Sequence, residues 1–128
     1  MNCLKCFNCD NNNNENEQDI NIPTIIKGPV YEIITPTNMI VSYKIEQQQS
    51  RTGAYNICHY NVKLSNIILF PEKKAVAMKA LSELILNEVV TVENINIISY
   101  NNIEGKVFYN NNCINNWLVY NKFAYRNP

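Results

Sequence analysis

From Ile22 onward the chain is a succession of short apolar runs rich in β-branched and aromatic residues, each closed by Pro, Gly or Asn. Runs of that length and composition form strands joined by tight connections. Only one long stretch repeats its apolar residues at helical spacing, so the fold must be β-structure organised around a single core helix.

The first clear strand covers residues 30–35 (VYEIIT), and Pro36, Thr37 and Asn38 turn it back into a second over 39–45 (MIVSYKI). The polar stretch 46–53 ends in Gly53 and reads as a surface loop before a third strand over 54–64. A short apolar run at 67–70 is stopped by Pro71. Proline at the first helical position with Glu72 in the first turn predicts a helix from 71 to about 87. Ala77, Met78, Leu81, Leu84 and Ile85 would form its buried stripe, with Lys73, Lys79 and Glu83 toward water.

Residues 88–98 (EVVTVENINII) alternate and predict a fourth strand, and Tyr100, Asn101 and Asn102 turn the chain into a fifth over 105–109 (GKVFY). After a turn at 110–112, Ile114, Trp117 and Leu118 recur at helical spacing and predict a short C-terminal helix before Phe123, Ala124 and Tyr125. Three strands, a helix and two more strands fit a five-stranded Greek-key barrel of OB type better than any parallel sheet. The expected domain spans residues 25–128.

Residues 1–24 are expected to be a disordered tail, because the segment 10–21 (DNNNNENEQDIN) has too little apolar surface to offset the entropy of ordering it. No apolar run approaches the roughly 18 residues of a membrane span. The start of the chain lacks the basic and apolar regions of a secretory signal, which predicts an intracellular, cytoplasmic protein with reduced thiols. Three of the five cysteines, Cys3, Cys6 and Cys9, crowd the tail, an arrangement that suits free thiols, S-acylation tethering the domain to a membrane, or a metal site short of one ligand. The abundance of Asn, Ile, Lys and Tyr points to AT-rich coding, as in a protist or a large DNA virus, more than to any chemistry. Eleven basic and eleven acidic side chains cancel, so attraction to a polyanion would need a local patch.

Several strings together resemble the staphylococcal nuclease (thermonuclease) family over about residues 30–125. Lys63 and Leu64, then Ile67 to Phe70 with Pro71 and Glu72, are similar to that family's Arg-Leu-x-Gly-Ile-Asp-x-Pro-Glu segment. Residues 75–86 are similar to its Ala-rich helix. Ile114 and Asn115, Leu118 and Val119, and Phe123 and Ala124 follow its Val-Asn-x-x-Leu-Val-x-x-Gly-x-Ala pattern, behind a fifth strand at 105–108.

The resemblance implies a calcium-dependent phosphodiesterase with a glutamate acting on water and two arginines on the phosphate. Glu72 falls on that glutamate and Lys63 on the first arginine, where lysine keeps the charge but loses the bidentate fork. Thr37 and Leu69 fall on the two calcium carboxylates, and Asn102 on the second arginine, with Lys106 the nearest cation along the chain. Tyr100 matches a tyrosine that stacks on the substrate base. Calcium takes several oxygen ligands, most of them charged, so no metal or other cofactor is expected. The implied reading is a fold that has lost its chemistry and serves as a binding or scaffold domain for a protein or, weakly, a single-stranded nucleic acid. The alternative is a metal-dependent nuclease using Glu72 and Lys63, with calcium.

Of the remaining candidates, His59 follows Cys58 in a strand, where neighbours point to opposite faces, so the pair is a poor metal couple and His59 reads as structural. Tyr31, Tyr43, Tyr55, Tyr60, Tyr100 and Tyr109 offer a stacking platform or, more simply, strand packing. Lys63, Lys73, Lys74, Lys79 and Lys106 would form any basic face near the helix start.

Overall fold

The computed structural model describes residues 23–49 and 55–128. Among them run β1 (Ile26–Thr35), β2 (Asn38–Gln49), β3 (Tyr55–Leu64), β4 (Ile67–Leu69), α1 (Lys74–Ile85), β5 (Val89–Ser99), β6 (Asn102–Tyr109), β7 (Asn112–Cys113), α2 (Ile114–Tyr120) and β8 (Ala124–Arg126). Five of these strands close a barrel. β1 pairs antiparallel with β2 through Val30↔Val41 and with β5 through Ile26↔Val92. β2 pairs with β3, and β5 with β6, in the same sense. A parallel ladder from Asn61↔Asn102 to Leu64↔Gly105 joins β3 to β6 and shuts the ring in the order β1-β2-β3-β6-β5.

Alternation decides what fills the barrel. Val30, Val41, Tyr60, Val62, Val92 and Val107 point inward and are buried, while their strand neighbours face out. α1 closes one opening with Ala77, Leu81 and Ile85, a stripe of one residue every fourth position, all fully buried. Burying a Leu or Ile side chain of this kind is worth about 1.5–3 kcal/mol. Met78 and Leu84 pack against the same core from its rim. The end of the helix is pinned to β1 by backbone bonds, Asn87 N–H to the Val30 carbonyl and Val30 N–H to the Glu88 carbonyl, both 2.9 Å.

The boundaries differ from the sequence expectation where pairing is nonlocal. β1 starts at Ile26 because its first four residues pair with β5, which is distant in sequence. β2 runs on to Gln49 and meets Tyr55, so half of the expected 46–53 loop is a hairpin leg; a strand paired to its own neighbour needs no buried face. Pro71–Lys73 is a 3-10 turn and α1 proper begins at Lys74. Ala124–Arg126, to which the sequence assigns no element, is a short strand paired with β4. Strands of three residues are too short to show a period.

Gly28 marks the point where β1 leaves β2 for β5. A Cβ there would lie inside the Ser42 carbonyl, so no other residue permits the approach. Elsewhere asparagine takes the positions that usually need glycine. Of the seven non-glycine residues with positive φ among the described ones, six are Asn: Asn66, Asn87, Asn94, Asn101, Asn110 and Asn111. Left-handed backbone disfavours a Cβ, and Asn tolerates it through local hydrogen bonding. The asparagine bias, expected to reflect AT-rich coding more than any chemistry, also shapes the turns of a chain with three glycines.

The β6–β7 turn shows the effect most simply. Tyr109 pairs with Asn112 across Asn110 (φ 49°) and Asn111 (φ 67°), a two-residue connection of the type that matches strand twist. Asn111→Ala is expected to lower the unfolding free energy by about 1 kcal/mol, and Asn111→Gly to leave it unchanged or higher, measured by urea titration.

Candidate functional site

The positions implied by the nuclease resemblance are distributed as follows. Lys63 points out from β3 with Asn38 beside it on β2 and Glu104 on β6. Lys106 points out from β6, two residues beyond Glu104 and opposite Glu93. The barrel thus brings Lys63 and Lys106 onto one stretch of outer surface, each facing a carboxylate across its ladder. Glu72 and Lys73 are exposed in the 3-10 turn before α1. Leu69 ends β4, and Thr37 lies in the β1–β2 turn, where its carbonyl accepts the Leu64 N–H at 2.9 Å. Asn102 donates to the Ser99 hydroxyl at 2.8 Å, bracing the β5–β6 turn. Among the described residues no three His, Cys, Asp or Glu side chains converge as a metal site. Cys3, Cys6 and Cys9 lie outside the described residues.

Asn115 has a structural task that its pattern alone did not disclose. It is the one buried polar side chain among the described residues, 2% exposed in the first turn of α2. Its Oδ1 accepts the Val107 N–H at 3.1 Å, and its Nδ2 donates to the carbonyls of Ser65 at 3.0 Å and Gly105 at 3.3 Å. One amide thereby joins α2, β6 and the turn after β3. Losing it strands a buried N–H and two carbonyls, at about 1–3 kcal/mol for each group left without a partner. Asn115→Ala is expected to destabilise the domain by about 3 kcal/mol, and Asn115→Asp to fail to restore it because it cannot donate, both read by urea unfolding.

The tyrosines separate cleanly. Tyr60 is buried with its ring 6.2 Å from that of half-buried Tyr43, and the Tyr109 hydroxyl donates to Glu88 at 3.2 Å. Burial and that neighbouring carboxylate both raise the Tyr109 phenol above its ordinary pKa. These three serve packing. The Tyr55 side chain lies outside the described residues. Tyr31 and Tyr100 are 62% and 72% exposed, too far out of the barrel for packing to account for them.

Tyr31 belongs to a built cluster on the outer face of β1–β3. Its ring centroid is 4.9 Å from that of His59 at a tilt of 39°. The Ser42 hydroxyl, directly across the β2–β3 ladder, holds His59 Nδ1 at 2.9 Å. His59 is exposed while Cys58 is buried, as alternation requires, so the histidine is neither a core residue nor a partner of that thiol. Both of its contacts come from other strands, so the residues adjacent to His59 in the chain do not signal them. Two residues along, the Asn61 N–H donates to the Asn101 carbonyl at 2.8 Å, which brings the turn carrying Tyr100 alongside β3. Tyr31, His59, Asn61 and Tyr100 thus lie along one outer path. Ile57 is half exposed beside it.

Compared with known proteins, the chain matches no protein-family model and no curated protein. No helix among the described residues is long and apolar enough to cross a membrane.

Proposed function

We propose that this chain is a non-catalytic binding domain with an OB-type, staphylococcal-nuclease-like Greek-key barrel, and that its outer β1–β3 face takes single-stranded nucleic acid. The observation that carries the reading is the exposed Tyr31 ring set at a tilt against His59, with His59 hydrogen-bonded to Ser42. An aromatic face held rigid in solvent suits an unpaired base, because every base offers a π-face and the protein ring loses little freedom on stacking. The barrel order, with the helix between the third and fourth barrel strands, supports the OB-type assignment, and in that architecture the outer face of the second and third strands is a common ligand surface. Thr37 and Leu69 at the positions of the calcium carboxylates argue for binding without cleavage.

Fluorescence anisotropy with a labelled single-stranded oligonucleotide tests the reading. Affinity is expected to fall as salt rises from about 50 to 200 mM, since phosphate contacts release counterions. Tyr31→Ala is expected to weaken binding about tenfold, the equivalent of about 1.4 kcal/mol, while leaving the urea midpoint in place. An oligonucleotide that the intact protein does not retain at low salt would refute the proposal.

The cleavage alternative has its own assay. Single-stranded DNA incubated with the protein and calcium is expected to stay intact; degradation that disappears in Glu72→Gln would establish the nuclease reading instead.

A further inference from the structure

We propose that the open edge of β5 is a docking surface for this chain's own residues 20–22, which continue β1 beyond its first residue as an added strand. β5 has two edges. β6 occupies one of them as far as Ser99↔Asn102, whereas β1 occupies the other only from Val89 to Val92. Among the described residues no strand pairs with the β1 side of residues 93–99. Beyond Glu93 that stretch carries neither a charge nor a proline, two of the devices that blunt an open edge. Its core-facing side is also uncovered. Ile97 stands directly across the ladder from Ile103, and cross-strand partners share a face. Ile103 is fully buried, yet Ile97 is 60% exposed, because nothing flanks it on the open edge.

The segment just upstream of β1 fits this edge in pattern, length and charge. Ile26, Gly28 and Val30 are buried while Lys27, Pro29 and Tyr31 are exposed, so the even positions of β1 face the core. Carried upstream, the same alternation turns Ile20 and Ile22 inward with Asn21 between them, and these two are the only apolar residues from 10 to 22. Ile22 precedes Ile26 by four positions, while Ile97 follows its partner Val92 by five. The difference is the one extra residue that β5 inserts between Glu93 and Asn96. Thr24 and Ile25 bend beside that bulge. A strand that re-enters the ladder after it therefore brings Ile22 opposite Ile97, apolar against apolar on the inner face. The acids of the tail, Asp10, Glu15, Glu17 and Asp19, all stop before Ile20, so no charge is placed against the uncharged edge. Covalent attachment favours this occupant over a second copy, since a short link raises its effective concentration at the edge.

Nuclear magnetic resonance of the isotope-labelled full chain tests the assignment. Through-space contacts between the Ile22 and Ile97 side chains are expected. The amides of residues 95–99 that point away from β6 should exchange with solvent at least tenfold more slowly than in the doubly substituted Ile20→Ser, Ile22→Ser protein. Ile97→Ser, at a position the barrel core does not enclose, should remove the same protection while the amide signals of Val41 and Val62 stay in place. A mixture of labelled and unlabelled chains separates the two occupants. A contact to Ile97 that arises between chains would assign the edge to a second copy and overturn the proposal. Amides that exchange equally fast in the intact and the Ile20→Ser, Ile22→Ser proteins would overturn it as well. No nucleic acid enters the experiment, so its outcome is independent of the oligonucleotide assay.

Discussion

The four-residue parallel ladder between β3 and β6 is the constraint on which the molecule depends. Without it the sheet would end in two open strands, each presenting unpaired backbone groups to solvent or to another chain. Its geometry is built at Gly105. β5 bulges opposite that residue, setting Asn94 and Ile95 against one position, and a Cβ at 105 would come within 2.8 Å of the Glu93 carbonyl. The bulge bends β5 so that β6 can reach β3. The Asn115 amide holds the result in place by bonding on both sides of the closure, to Gly105 and Val107 of β6 and to Ser65 just after β3. Closure is therefore specified by a glycine, a bulge and one buried amide rather than by apolar area alone.

Much of the barrel was legible in the sequence because its cues are local. The β1–β2 hairpin follows from Pro36 and Asn38 between alternating runs, and α1 from Pro71, Glu72 and a stripe ending in Ile85. The illegible parts share one cause, which is dependence on partners far along the chain. Ile26 to Pro29 belong to a strand only because β5 lies beside them, and Ala124 only because β4 does. The asparagines are a subtler case. Counted as composition they suggest coding bias, and only their backbone angles show that they stand in for glycine at Asn66, Asn87, Asn101, Asn110 and Asn111.

The proposed binding face is legible to a smaller degree. Tyr31 and Tyr100 could be named from sequence among several tyrosines, but their separation from Tyr43 and Tyr60 depends on which wall of the barrel each side chain meets. The contacts of His59 come from two other strands, Ser42 by a hydrogen bond and Tyr31 by ring contact, and neither is signalled by its neighbours in the chain.

These features combine into a restriction on how the domain can recognise anything. The β3–β6 ladder occupies the backbone edge at residues 61–64 and 102–105, so a partner at the closure would be met on outward side chains. With formal charges that cancel, it must also be met locally, since no long-range field draws a polyanion in. On β3 and β6 the outward cations Lys63 and Lys106 each stand opposite a carboxylate in the ladder. On β1–β3 the outward side chains Tyr31, Ser42 and His59 are drawn from three strands to one place. In the proposed reading, recognition therefore falls on this aromatic cluster, on a different part of the barrel wall from Glu72 and Leu69.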